Sequence, residues 1–278
     1  MNNWNPSARG WWPRLLLCVA LAGLPLTAAW ALDEGVVVGK QSRLAALIPA
    51  SEVEGAANQQ YHELLQHAAA QRALAQPDHP QLQRIRAVAQ RLIPQAERWN
   101  PRAADWKWEV NLIGSNQINA FCMPGGKIVF YSGILDQLKL TPDEIAMVMG
   151  HEMAHALREH ARERMAKSAA TNIGANILVN VLGMGQVGQV LTGYGAQLMS
   201  LKFSRSDESE ADLVGMEMAA RAGYDPRAAI SLWQKMDQAG KASPPQWLST
   251  HPSGVSRIAE LKKNLPRVMP LYERARRG

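Results

Sequence analysis

His151, Glu152 and His155 form the most chemically suggestive group in this chain, in the stretch HEMAH at 151–155. Two histidines four residues apart on a helix lie about 40° apart around its axis and roughly 6 Å along it, so their ring nitrogens converge on one ion. Glu152 points to the side. There it reaches a water on that ion without being a ligand, the general-base position of a zinc hydrolase. Tetrahedral zinc requires a third protein ligand and an open fourth position. An HExxHxxGxxH pattern is excluded, because positions 158 and 161 are Arg and Ala. On a continued helix Glu159 and Glu163 stand about 6 and 12 Å beyond His155, too far for a bond of ~2.1 Å to the same ion.

The third ligand is therefore expected from another helix. In SRSDESEADLVGMEMAARAGYDP (204–226), Glu208 and Asp212 share a helix face at i, i+4, one placed to bind metal and the other to orient a ligating histidine. Glu210 points elsewhere. HEMAH followed by SRSDESEAD resembles the M48 family of zinc metallopeptidases, of the gluzincin group. NAFCMPGGKIVFYSGIL (119–135), AGYDP (222–226) and HPSGVSRI (251–258) resemble it too, so the likeness covers about residues 40–278. The resemblance implies a zincin-like fold, one zinc ion per chain held by His151, His155 and Glu208, and Glu152 as the catalytic carboxylate. It also implies Asp212 as a further acidic site residue, often assigned as a proton donor, whereas the spacing is equally consistent with Asp212 backing a histidine.

The elements that must position these residues are also signalled. Thr141, Pro142 and Glu144 form a T-x-x-E capping box with proline at the first helical position, so the HExxH helix is expected to start at Thr141 and to run on towards Lys167. Residues 52–75 and 80–98 have helical spacing, clearest in Leu82, Ile85, Val88, Ala89 and Leu92. WKWEVNLI (106–113) alternates like a strand, with Trp106, Trp108, Val110 and Leu112 on one face. QINAFCMP and KIVFYSG, around Gly125 and Gly126, read as a hairpin. By the resemblance, the strand with Asn119, Ala120 and Phe121 is the edge on which an extended substrate pairs through main-chain hydrogen bonds. The expected fold is mainly helical α+β, with a small sheet beside the HExxH helix.

His251, in a His-Pro turn, is a candidate either to stabilise an oxyanion or to plug the open coordination position. Arg257 is expected to anchor that turn. PRAAISLWQKM (226–236) reads as a helix and KASPPQW (241–247) as a loop. His62, His67 and His79 read as surface residues, and Cys122 as a small buried residue. Residues 168–201 have no charged residue but six glycines and several Asn and Gln. They are expected to form a buried or mobile helical hairpin over the cleft, bringing Tyr194 near the site, with membrane contact of the tip as the alternative.

Residues 1–31 read as an export signal, with Arg9 and Arg14 before the apolar LLLCVALAGLPL and an A-x-A site at Ala29-Trp30-Ala31. Residues 32–278 then constitute one peptidase domain with a single cysteine, stabilised by its core and not by a disulfide. The net charge of +6 is concentrated in the last eighteen residues. That basic tail suits a solvated helix end or an anionic membrane surface, and no nucleic-acid-binding motif is present. The function expected is a periplasmic zinc endopeptidase that degrades misfolded or misassembled envelope proteins. The alternative is a zinc-stabilised chaperone or assembly factor with little proteolysis.

Overall fold

The computed structural model describes residues 35–176, 202–242, 245–251 and 255–277. Residues 1–31, read as an export signal, and most of the stretch read as a helical hairpin with Tyr194 lie outside these residues. Two helices, α1 (Ala50–Ala70) and α2 (Pro80–Leu92), precede the strands β1 (Glu109–Ile113), β2 (Ala120–Met123) and β3 (Lys127–Tyr131). After them come α3 (Ser132–Gln137), α4 (Pro142–Leu157), α5 (His160–Asn176), α6 (Arg205–Arg221), α7 (Ala228–Ala242), α8 (Gln246–Thr250) and α9 (Val255–Ala275). A mainly helical α+β fold with a three-stranded sheet results, as expected. Several boundaries differ from the sequence reading: the helices read over 52–75 and 80–98 end at Ala70 and Leu92, Gln246 and Trp247 open a short helix where a loop is expected, and α4 stops at Leu157.

The sheet order is β1-β3-β2, with β3 parallel to β1 and antiparallel to β2. β3 is buried at all five positions because both its faces are covered. Its side chains alternate: Ile128 and Phe130 enter the main core with the Leu82, Ile85, Val88, Ala89 and Leu92 stripe of α2. Val129 and Tyr131 face a smaller cluster with Tyr61 of α1 and Met165 of α5. The expected hairpin is β2–β3, and Val110 and Leu112 point to one core as the alternation of β1 predicts.

α4 runs through the middle of the main core, packed on β2 and α6. Its start is the expected capping box: the Thr141 hydroxyl accepts from Glu144 N at 3.2 Å, and the Glu144 carboxylate accepts from Thr141 N at 2.8 Å. Ser231 and Lys235 of α7 also donate to Glu144, at 2.7 and 2.6 Å, so one carboxylate joins the cap to a neighbouring helix. Burial opposes its ionisation, but Lys235, Thr141 N and Ser231 outweigh that and hold its carboxyl below the ordinary 4.5. A depressed folded-state pKa gives stability that is complete above the ordinary value and is lost as pH falls through the folded one. Melting temperature should therefore drop as the pH falls below about 4.5, and Glu144→Gln should flatten that acid slope in thermal melts.

The crossing of α4 and α6 is set by two glycines. A Cβ on Gly150 would meet Gly215 O at 2.8 Å, and one on Gly215 would meet His151 N at 2.6 Å. With no side chain at either position the two backbones touch, which places HEMAH directly beside the first turns of α6. α6 is held in register by its own box, in which Ser204 accepts from Asp207 N at 3.2 Å and Asp207 accepts from Ser204 N at 2.9 Å.

Candidate metal centre

Along α4, His151 and His155 turn their Nε2 atoms to the same point, 3.1 Å apart. The Glu208 carboxylate enters from α6, with Oε2 3.6 Å from His151 Nε2 and Oε1 3.5 Å from His155 Nε2. His251, capping the C-terminus of α8, brings Nδ1 to 3.3 Å from His151 Nε2 and 3.0 Å from Glu208 Oε1. All four residues are buried, and their donor atoms lie within 4.8 Å of one another.

These spacings decide whether a metal fits. Four donors held at ~2.05 Å from a tetrahedral zinc stand about 3.3 Å apart, close to the separations observed. One N–H···N bond could join a single pair of these rings, but one cation satisfies the His151, His155 and His251 nitrogens and the Glu208 oxygen together. Glu208 Oε2 is buried with no hydrogen-bond donor in line, although Arg257 Nη1 stands 2.6 Å away as a charge partner. The set of three imidazoles and one carboxylate is a borderline-soft N/O donor set that suits zinc.

The surrounding charges are ordered. Asp212, one turn beyond Glu208, accepts from His151 Nδ1 at 3.0 Å and is gripped through both oxygens by Arg257 at 2.6 and 2.7 Å. Burial alone would raise the Asp212 carboxyl, but Arg257 and His151 hold it below its ordinary value. Asp212 is thus placed behind His151 and not among the donors. Burial likewise opposes ionisation of Glu208, and His251, His151 and Arg257 reverse it. Arg257 was expected to anchor the His-Pro turn. Residues 252–254 of that turn lie outside the described residues; Arg257 bridges the acidic pair, with its guanidinium 3.8 Å from the centre of the Trp233 ring.

Glu152 lies beside the donors, as the spacing predicts. Its Oε1 accepts from Trp247 Nε1 at 2.5 Å and stands 3.6 Å from His251 Nε2. A cleft opens next to it: Asn119, Ala120 and Phe121 form part of one wall, and Glu152, His155 and His251 part of the other. β2 pairs only with β3 among the described residues, so its outer edge carries no strand partner. Cys122 lines the same cleft as a free, buried thiol, and burial pushes its pKa up. His62, His67 and His79 are exposed, as expected.

Three contacts escape the sequence reading. Trp247, fully buried, holds Glu152 and packs against His151 and His251 at ring-centre distances of 5.4 and 4.9 Å. Phe203 stacks on His155 at 4.0 Å. His160, 2 % exposed, touches His155 from behind, Nδ1 to Nδ1 at 2.9 Å. No local motif marks the first two. The third was hidden because a continuous helix through residue 160 would carry that histidine away, whereas the chain breaks at Arg158 and Glu159, the latter with φ +59°. Glu159 and Glu163 pair with Arg162 and Lys167, away from the donors.

Comparison with known proteins agrees with this geometry. The family model "Peptidase family M48" matches residues 79–265. The chain is 39 % identical over 150 residues to a protein named mitochondrial metalloendopeptidase OMA1 from Arabidopsis thaliana, covering 54 % of this chain and 30 % of that one. It is 38 % identical over 168 residues to the Schizosaccharomyces pombe protein of that name, covering 59 % and 48 %. To the Escherichia coli protein named beta-barrel assembly-enhancing protease it is 33 % identical over 170 residues, covering 58 % and 35 %. The chain thus spans roughly a third to a half of the length of these relatives.

Proposed function

Because the chain belongs to peptidase family M48, we propose that it is a zinc-dependent endopeptidase that binds polypeptide in extended form along β2 and cleaves it beside Glu152. The observation that carries this reading is the placement of Glu152, next to four convergent donors and across one cleft from an unpaired strand edge. His151, His155 and Glu208 would hold the zinc, which when bound would supply Lewis acidity towards a carbonyl oxygen and lower the pKa of an attacking water. Glu152 accepts a proton from the attacking water and delivers it to the leaving amine. Asp212, charged and held by Arg257, orients His151 and is poorly suited to donate a proton. Backbone groups of Asn119, Ala120 and Phe121 align the substrate with little regard to its sequence.

The export signal read in residues 1–31 supports a place in the bacterial cell envelope, on the periplasmic side, and a role in removing misfolded or misassembled exported proteins. The name of the Escherichia coli relative is in keeping with this. No helix among the described residues is long and apolar enough to cross a membrane. Peripheral contact through the basic C-terminal residues is compatible with the reading.

His251 in the fourth donor position and Trp247 on the Glu152 carboxylate favour a second reading, a strand-gripping chaperone that rarely cuts. Casein digestion by wild type and His251→Ala, with zinc or with chelator, separates the two. If His251 plugs the site at rest, the alanine variant frees the position for water and digests casein faster than wild type, and chelator abolishes the cleavage. A fall of roughly 10²-fold would instead make His251 an oxyanion stabiliser. Zinc-loaded protein that leaves casein intact in both forms would count against general proteolysis and favour the chaperone.

A further inference from the structure

His151 and His155 are both backed, but by different means. Behind His151 stands a carboxylate, Asp212, paired to Arg257. Among the described residues no carboxylate meets His155 Nδ1: that nitrogen meets His160 Nδ1 at 2.9 Å, while His160 Nε2 lies 3.2 Å from Glu210 Oε2. Glu210 Oε1 in turn forms an ion pair with Arg158 at 2.5 Å. His160, like the donors, is almost wholly buried.

The direction of each hydrogen bond follows from the ring chemistry. His155 turns Nε2 to the donor group, so a neutral ring that ligates there carries its proton on Nδ1. That proton can only be donated to His160 Nδ1. His160 is then the tautomer protonated at Nε2, which donates to Glu210. The two ring N–H groups between the donor group and Glu210 are thereby assigned. Burial opposes ionisation of Glu210, but His160 and Arg158 keep its carboxyl below the ordinary value, so the chain ends on a charge.

We propose that His160 is a positioning residue that, anchored by Glu210, fixes the tautomer and ring orientation of His155 and so sets how tightly the protein retains its metal. This rests on the reading of His155 as a ligand. Outer partners of ligating histidines contribute about 10–100-fold in metal affinity. Glu210, which the sequence directs away from the donors, does point away, yet it acts on them through one intervening ring.

The test is zinc affinity of the full chain by chelator competition, with no protease assay involved. His160→Leu should weaken zinc by about 10–100-fold. His160→Gln should recover most of that loss, because its carbonyl accepts from His155 Nδ1 while its amide donates to Glu210. Glu210→Ala should weaken zinc less than His160→Leu, and it carries the test should the leucine variant fail to fold. Histidine ¹⁵N shifts of the zinc-loaded wild type should show His155 protonated at Nδ1 and His160 at Nε2. A leucine variant that binds zinc like wild type, a glutamine variant no better than leucine, or the opposite tautomers would overturn the proposal. Wild type that binds no zinc would sink the metallopeptidase reading itself, and this inference with it.

Discussion

Glu152→Gln should leave zinc bound near one ion per chain and lower casein hydrolysis by about 10⁴-fold, the upper end of what general acid–base catalysis supplies, since one carboxylate serves both proton transfers. Glutamine keeps the size of the side chain and its oxygen still accepts from Trp247 Nε1, so the local packing survives. What is lost is the ability to take a proton. The metal is unaffected because Glu152 is not one of the four convergent donors. Zinc content by elemental analysis, read beside turnover, separates the outcomes. Loss of metal would make Glu152 a ligand, and retained cleavage would place the base elsewhere.

Glu208→Ala should strip zinc, or weaken it by more than the roughly 10–100-fold that an outer partner costs, and hydrolysis should vanish with it. Among the described residues, Glu208 is the one carboxylate that reaches both helix α4 histidines and His251, at 3.0 to 3.6 Å. Removing it also takes away a charge that balances Arg257, but Asp212 still grips that guanidinium from two sides, so the helix pair should hold. Glu210→Ala is the control on the same helix. Its loss should be the smaller one, because Glu210 acts only through His160. A Glu208 variant that keeps zinc while the Glu210 variant loses it would mean that α6 presents the wrong face.

Much of the site is legible in the order of residues because helix periodicity is local. The spacing in HEMAH dictates that two imidazoles share a face with Glu152 beside them, and the Thr141 and Ser204 boxes start α4 and α6 where each cap residue finds its orphan N–H groups. The i, i+4 relation of Glu208 and Asp212 puts both on one face of α6, and alternation assigns the two faces of the sheet.

Which face of α6 meets which face of α4 is a different kind of information. It depends on Gly150 and Gly215 meeting at the crossing, a pairing that neither segment reveals alone. The break after Leu157 is similar, because ALREHAR holds no Gly, Pro or Asn to announce it. Glu159 adopts its left-handed conformation only because the surrounding packing holds it there, and that turn returns His160 to His155. Trp247, Phe203 and His251 arrive from segments remote in sequence, on a short helix and a loop with no periodicity of their own. Local spacing therefore sets the donor types, their helix and the chemistry open to them. Packing between elements far apart in the chain settles which rings stand behind the donors, what holds Glu152, and that a third imidazole joins the set as its fourth donor.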